Sequence, residues 1–401
     1  MRGAAVSAER LRVVHVITRL ELGGAQLNTL YTCTHLPPDR FEVHLVAGPG
    51  GVLDGEARRQ PRLRVHFLPG LVRRPHPIRD LLALARLARC LRRIRPHVVH
   101  THSSKAGILG RLAARLAGVP VCVHTYHGFG FHAGQPEWLR RFLVFLERRV
   151  RGCTTHFLAV SRDTLRAGIE AGIVDPERAE CLPSGVEIDG LAATPRRRRH
   201  LLAEVGGADG DLLVGMVACL KPQKAPEDFV RVAARTLREV PEARFLLVGD
   251  GGLRGAVEAL ARREGLSGRF HLLGWRRDVP AVLAGLDLLV LTSRWEGLPR
   301  VFAEARAVGV PIVATRVGGA EEAIADGESG YLLPPGDVGG IADRVVRLLR
   351  DPELRRRMAA RGRQGLERFD IRAMVRRQAE LYEDLLRRAP AMPRPVLARA
   401  G

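Results

Sequence analysis

The chain has almost no lysine: of its 64 basic residues only Lys105, Lys221 and Lys224 are lysine, and the rest are arginine. Aromatic residues are scarce too, at 5%. The formal charge of +21 invites an anionic partner, for which nucleic acid, a phosphorylated ligand and an acidic membrane surface all qualify. With few aromatics and no recognised nucleic-acid motif, nucleic acid is set aside, and an arginine-biased coding composition accounts for much of the excess charge. Long apolar runs are missing as well. Stretches such as Leu288 to Leu291 fall far short of the roughly 18 residues a membrane-spanning helix needs. The cysteines Cys33, Cys90, Cys122, Cys153, Cys181 and Cys219 form no Cys-x-x-Cys pair and no zinc-like cluster with histidine, so reduced thiols are expected. Arg2, Glu9, Arg10 and Arg12 around a short apolar run do not make a secretory signal, and a cytoplasmic location is expected.

What is present is material for two cores: 401 residues, 46% of them hydrophobic. Short β-branched runs at Val13 to Thr18, Glu42 to Ala47, Val65 to Leu68, Val98 to Thr101, Val121 to Tyr126 and His156 to Val160 alternate with helical patterns. That alternation predicts an α/β fold with a parallel sheet covered on both faces. Between Leu191 and Asp211 the pattern breaks at Pro195, a basic run and Gly206, Gly207 and Gly210, which places the interdomain linker there. Strands then resume at Leu212 to Ala218, Arg244 to Val248, Phe270 to Leu272, Leu288 to Leu291 and Ile312 to Thr315, followed by helices only from Asp337 to Arg388. The expected domains are 1–195 and 211–369, each doubly wound, with a helix over 370–388 crossing back to the first. The Pro-rich stretch from Ala389 to Gly401 is expected to be disordered.

Ligands of open parallel sheets gather at the carboxyl ends of the strands, and the chemistry-bearing motifs fall there. Gly23-Gly24-Ala25-Gln26 leads from the first strand into a helix, where open amides attract phosphate; a turn that merely needs positive φ is the alternative. Glu296-Gly297-Leu298-Pro299 follows the strand ending at Leu291, with Pro299 suited to the first helical position and amides near Gly297 forming an anion site. Glu296 and Glu304 can share the hydroxyls of one extended ligand, or be a helix-end charge and a solvated face. In Leu220-Lys221-Pro222-Gln223-Lys224, two of the scarce lysines flank the end of another strand, where fixed charge can neutralise a leaving diphosphate; an exposed basic loop is the alternative.

His127-Gly128-Phe129 puts an imidazole at the end of the strand Val121 to Tyr126, for contact with a sugar or for structure. His97, His100, His102, His124 and His132 lie nearby in sequence, but no Asp or Glu accompanies them at zinc spacing, so no metal site is expected. In Thr101-His102-Ser103-Ser104-Lys105 the hydroxyls suit a helix cap, while Ser103 and Lys105 could instead meet an acceptor phosphate.

Taken together these residues resemble glycosyltransferase family 4, the retaining branch with the GT-B fold of two Rossmann-like domains facing across a cleft. The resemblance spans about Arg12 to Arg388 and is carried by Glu296 and Glu304, with Gly23-Gly24-Ala25-Gln26, Ser161-Arg162, Ser184-Gly185-Val186-Glu187, Val248-Gly249-Asp250-Gly251 and Gly318-Gly319 in support. The run from His100 to Phe131 and the Lys221 to Pro226 loop are similar to those of capsule, exopolysaccharide and lipid-linked oligosaccharide enzymes. The resemblance implies transfer of a sugar from a nucleotide diphosphate sugar, UDP-linked, to a polyprenyl diphosphate-linked or glycan acceptor, with no cofactor and no metal. It implies that Lys224 holds the diphosphate with Lys221, Glu304 the ribose and Glu296 the transferred sugar. His127, Lys224 and Glu296 would then carry catalysis. Gly23, Gly24, Gly249, Gly297, Leu298 and Pro299 join the donor-binding set, and Gln26, Ser103 and Lys105 the acceptor-binding set. The chain departs from the family pattern at Cys219, where arginine is usual, and at Ser184, where asparagine is usual; Lys221 is then expected to replace the missing charge.

Two basic amphipathic helices, around Trp138 to Leu146 and Ile78 to Ile94, can lie on an anionic membrane or pack on the sheet. Salt-sensitive peripheral contact at the inner face of the plasma membrane is the expectation. The competing readings are a nucleotide-sugar 2-epimerase of the same architecture and a non-catalytic sugar-nucleotide binding module. A dinucleotide oxidoreductase is disfavoured because no Gly-x-Gly-x-x-Gly follows the first strand.

Overall fold

Strands buried on both faces read as almost unbroken apolar runs, and in the computed structural model the run Leu11–Arg19 is such a strand, six of its residues in a row being buried. The structure describes residues 10–73, 75–132, 134–195 and 197–389; Arg2, Glu9 and the tail from 390 to 401 lie outside them. The chain divides into two units, one of residues 1–159, 165–180 and 375–401, the other of 160–164 and 181–374.

The first unit is built from β1 (Leu11–Arg19), α1 (Gly24–His35), β2 (Phe41–Gly48), α2 (Asp54–Arg58), β3 (Leu63–Phe67), α3 (Pro77–Ile94), β4 (Val98–His102), α4 (Ser104–Leu116), β5 (Val121–Tyr126), α5 (Glu137–Val150), β6 (His156–Ala159), α6 (Arg162–Glu170) and β7 (Ala179–Cys181). Its sheet order is β3-β2-β1-β4-β5-β6-β7, the doubly wound arrangement with its switch point between β1 and β4. Val14, Val16 and Val99 face Leu87, Leu91, Leu109 and Ala113 of α3 and α4 in one core cluster. Because side chains alternate along a strand, His15, His100 and His102 lie on the opposite face. There Tyr382 is fully buried, with its hydroxyl 2.5 Å from His100 Nδ1.

The second unit comprises α7 (Ile188–Ala192), α8 (Arg198–Glu204), β8 (Leu212–Val217), α9 (Pro226–Leu237), β9 (Ala243–Val248), α10 (Arg254–Arg263), β10 (Phe270–Gly274), α11 (Val279–Gly285), β11 (Leu288–Leu291), α12 (Arg300–Val308), β12 (Ile312–Thr315), α13 (Ala320–Ala323), β13 (Gly330–Leu333), α14 (Val338–Arg350) and α15 (Pro352–Gly362). Its sheet order, β10-β9-β8-β11-β12-β13, repeats the winding of the first, and Phe229, Phe245 and Phe270 meet edge-on or tilted in its core. Asp337 and Asp351 cap α14 and α15 through the amides of Gly340 and Leu354. The last helix, α16 (Ile371–Arg388), belongs to the first unit from Val375 onward.

Three features differ from the sequence expectation. The unit boundary falls at 180/181 rather than within 191–211, because Leu201, Leu202 and Val205, hidden among arginines, are buried in the second unit's core and Arg198 pairs with Asp287 at 2.6 Å. The strands β7 and β13 were not anticipated, since three and four residues leave little periodicity to read. Pro299 precedes α12 as its cap, with φ −64° and ψ 117°, rather than opening the first turn.

Candidate active site

In the second unit the loops after β8 and β11 are laced together. Pro222–Lys224 makes one short 3-10 turn that ends at Ala225 in the left-handed region, φ 44° and ψ 55°. The Thr292 hydroxyl reaches the carbonyls of Ala225 at 2.9 Å and Lys224 at 3.1 Å, and the Arg294 amide donates to the Gln223 carbonyl at 2.8 Å. The Gln223 side-chain amide in turn donates to the Trp295 carbonyl at 2.9 Å and to Glu296 Oε2 at 3.2 Å. Lys224 forms an ion pair with Glu296, and the two side chains are only 16% and 7% exposed. Two motifs 72 residues apart are thus one structure, a mutually neutralised, largely desolvated pair at the carboxyl edge of the sheet. α12 starts just beyond, with no side chain capping its first amides, and Glu304 sits one turn in, 3.3 Å from Arg300.

The glycine motifs have a packing cause. A Cβ on Gly318, whose φ is +54°, would lie 2.3 Å from the Glu296 carbonyl oxygen, and the Gly319 amide donates to the Gly297 carbonyl at 2.6 Å. A Cβ on Gly249 would lie 2.0 Å from the Ala218 carbonyl oxygen, and one on Gly251 2.5 Å from that of Leu220. Backbone therefore rests on backbone behind both loops, and only glycine permits that approach. Cys219 and Lys221 lie between these supports, joined by the Lys221 amide to the Cys219 carbonyl at 2.9 Å. Ser184-Gly185-Val186 is a seam of another kind: the Val186 amide donates to Phe369 and its carbonyl accepts from Ile371, closing on the start of α16.

In the first unit, Gly23 caps α1 with φ −156° and neither Gly23 nor Gly24 has a positive φ, so the need for a left-handed turn is not what put glycine there. Gln26 lies in the first turn, its Oε1 where a Gly23 Cβ would approach to 2.6 Å. Ser103 precedes α4 with φ 61° and ψ 156°, a region that an L-residue adopts only under strain. Its hydroxyl does not cap the helix but meets the Thr18 hydroxyl at 2.8 Å, and Thr18 accepts from the Ala106 amide at 3.3 Å. Lys105 is paired with Asp80 of α3 at 2.5 Å.

His127 does not join His124 or His132. Its Nε2 is 3.1 Å from His102 Nδ1, and His102 Nε2 is 3.1 Å from His15 Nδ1. His124 is taken by Thr101 at 2.8 Å, and His97 Nδ1 accepts from the Arg12 amide at 2.9 Å. His100 engages Tyr382 and Thr125. Burial pushes His127 down to about 4 and His15 to about 3, and holds His100, His102 and His124 well below the ordinary histidine value. Among the described residues, His15, His100 and His102 are the group whose ligand atoms lie within 4.8 Å of one another. Only His15 Nε2 in that group lacks a hydrogen-bond partner; the other nitrogens of the three rings are engaged in hydrogen bonds.

Sequence reading did not single out His15, Gln223 or Thr292. His15 is 87 residues from His102 and only the pairing of β1 with β4 joins them; Gln223 alone carried a local sign, an amide beside the lysine.

The profile of the family described as Glycosyltransferase Family 4 matches residues 22–189, and that of Glycosyl transferases group 1 matches residues 199–365. The chain is 30% identical over 380 residues to the UDP-Gal:alpha-D-GlcNAc-diphosphoundecaprenol alpha-1,3-galactosyltransferase of Escherichia coli, covering 94% of this chain and 98% of that one. In structure it is similar to Anabaena HepE in complex with UDP and glucose, with TM-score 0.81 at 24% identity over 94% of this chain and all of the other. It is likewise similar to the sucrose-phosphate synthase of Thermosynechococcus elongatus, with TM-score 0.81 at 20% identity over 95% of this chain and 100% of that one.

Proposed function

The chain belongs to the family 4 glycosyltransferases, with the GT-B fold, and from that membership we propose that it moves a hexosyl or N-acetylhexosaminyl group from a UDP-sugar to a lipid-linked or polysaccharide acceptor in cell-surface glycan synthesis. Membership sets aside the epimerase reading. The observation that carries the proposal is the Lys224–Glu296 pair, braced by Gln223 at the start of α12. Lys224 takes the donor's diphosphate as counter-ion, with Lys221 and the first amides of α12 adding fixed positive potential where charge grows in the transition state. Glu296 accepts from hydroxyls of the transferred sugar, Glu304 from the ribose, and His127 hydrogen-bonds the sugar. Gly23, Gly24, Gln26, Ser103 and Lys105 serve the phosphate and acceptor side.

In this proposal, the acceptor oxygen attacks the anomeric carbon on the face from which the diphosphate leaves. The bond to the phosphate oxygen breaks, and the acceptor's proton passes to that oxygen. Configuration is retained with neither a protein nucleophile nor a metal, and rate comes from positioning and fixed charge. The name of the Escherichia coli relative, with its UDP-linked donor and diphosphoundecaprenol acceptor, supports this choice of substrates, as do the UDP complexes of HepE.

No helix among the described residues is long and apolar enough to cross a membrane. On α5, however, Trp138, Phe142 and Phe145, spaced to share one face, are 70%, 51% and 48% exposed beside Arg140, Arg141 and Arg149. Ordinary sheet packing does not use those rings, and we take them as a peripheral, salt-sensitive contact with anionic lipid that brings a lipid-linked acceptor to hand.

The test is transfer from a panel of nucleotide sugars to a polyprenyl diphosphate-linked acceptor. Lys224→Ala and Glu296→Ala should each lower the rate of the folded protein about 100-fold or more, with some loss of stability because each leaves its partner charge unpaired, and EDTA should leave the wild-type rate unchanged. Near-normal rates in both variants would refute the assigned roles.

A further inference from the structure

We propose that His15, His102 and His127 form a proton-ordered chain that presents His127 as a neutral hydrogen-bond donor through Nδ1, with His15 and His102 as positioning residues for it. The proposal rests on the reading that His127 meets the transferred sugar. β1, β4 and the turn just after β5 supply one ring each, joined by two nitrogen-to-nitrogen contacts of 3.1 Å.

A neutral imidazole has one N–H and one lone pair. A ring engaged at both nitrogens, as His102 is, must therefore accept on one side and donate on the other, so the three rings point one way. Two orders are possible. If His127 donates inward, the chain ends with an N–H on His15 Nε2, an atom with no partner on a side chain of zero exposure. If His15 donates outward, that buried end carries only a lone pair, and the N–H falls on His127 Nδ1. Orphaned buried N–H groups are rarer than under-satisfied acceptors, which favours the order whose terminal N–H a bound ligand can meet. His127 Nδ1 is likewise a buried atom without a partner among the described residues, but its residue, unlike His15, is partly exposed and stands just past the carboxyl end of β5, where ligands of such sheets gather. A sugar or phosphate oxygen can accept there.

The surroundings keep all three rings neutral. The same face carries His100 of β4; His124 of β5, in register with Thr101 and hydrogen-bonded to it, lies on the α4 face beside Arg111, which adds further positive charge and is itself paired with Glu147 of α5; α16 contributes the neutral Tyr382 and Gln378. Burial is the main cause that lowers each ring, and the histidine neighbours push His100 and His102 the same way. A neutral Nδ1–H can hold an oxygen that gains negative charge but cannot take a proton from the acceptor, which agrees with delivery of that proton to the leaving diphosphate.

Tautomer-sensitive two-bond 1H–15N correlation on histidine-labelled full-length protein at pH 7.5 should show His127 protonated at Nδ1 and bare at Nε2. His102→Phe, which removes both contacts, should let the Nε2–H form of His127 appear and lower kcat on the order of 10-fold while the donor KM stays within about twofold. His102→Gln, which keeps one donor and one acceptor, should restore most of both readouts. An Nε2–H His127 in the wild type overturns the ordered chain whatever the activity. If the tautomer is as stated but His127→Ala transfers at the wild-type rate, the sugar contact fails instead, and the chain's role in transfer with it.

Discussion

Glu296 is held from two directions, by the Lys224 ammonium and by the Gln223 amide, and its own backbone rests against Gly318. Its position is therefore sensitive to a single methyl group. Gly318→Ala would place a Cβ 2.3 Å from the Glu296 carbonyl oxygen at a φ of +54°, so the loop must move. We expect transfer to fall roughly 10-fold or more, with stability lowered by about 1–2 kcal/mol from the left-handed alanine. Steady-state kinetics beside denaturant unfolding separates the two effects, and unchanged kcat would mean that the buttress does not matter. Arg111 makes the contrasting case, since it is fully buried and meets Glu147 at 2.5 Å and Tyr126 at 3.3 Å. Glu147→Ala strands that guanidinium and should cost about 3–5 kcal/mol in urea unfolding; a loss below about 1 kcal/mol would show the cation rehydrating.

Among the helices, α3 is well begun and poorly ended. Pro77 follows a His76 cap whose ring accepts from the Arg79 amide at 3.4 Å, but the chain leaves through Arg95 at φ 53° and ψ 58°, where glycine is the natural occupant. Arg95→Gly should raise stability by about 0.5–1 kcal/mol, the relief of the left-handed side chain exceeding the added freedom of the unfolded chain. A lower thermal midpoint would contradict this. The α5 face makes a prediction of another kind. Combined replacement of Trp138, Phe142 and Phe145 by alanine should weaken cosedimentation with phosphatidylglycerol vesicles at low salt about tenfold or more, without changing transfer to a soluble acceptor. Equal binding by wild type and variant would remove α5 from the membrane reading.

For the molecule, the buried histidines set the response to acid. His15, His100, His102 and His124 are at most 3% exposed, and burial lowers all of them, His15 to about 3. Their unfolded counterparts protonate near 6.5, so below that pH the unfolded chain binds protons that the folded chain refuses. Stability is full above about pH 6.5 and falls as pH drops toward the folded values, by roughly 1 kcal/mol per pH unit for each such histidine. Unfolding midpoints measured from pH 7.5 to 5 should fall steeply; a flat profile would mean that these rings are protonated in the native state. The net charge of +21 compounds the effect as carboxylates begin to neutralise.

Much of this protein follows from local order along the chain. The alternation of short apolar runs with helical patterns is enough to imply two doubly wound sheets, because burial on both faces forces the strands to be apolar throughout. Lys224, Glu296 and the paired glycines could be marked as candidates for a similar reason, as each stands where a strand stops. The contacts that join those candidates were beyond such reading. Whether Lys224 faces Glu296, whether His127 joins His102 and His15 or His124, and whether Trp138 points inward depend on which strands become neighbours and on how each helix is rotated. Residues 72 and 87 positions apart are brought into hydrogen-bond range by sheet register, and register is settled only when the whole core packs.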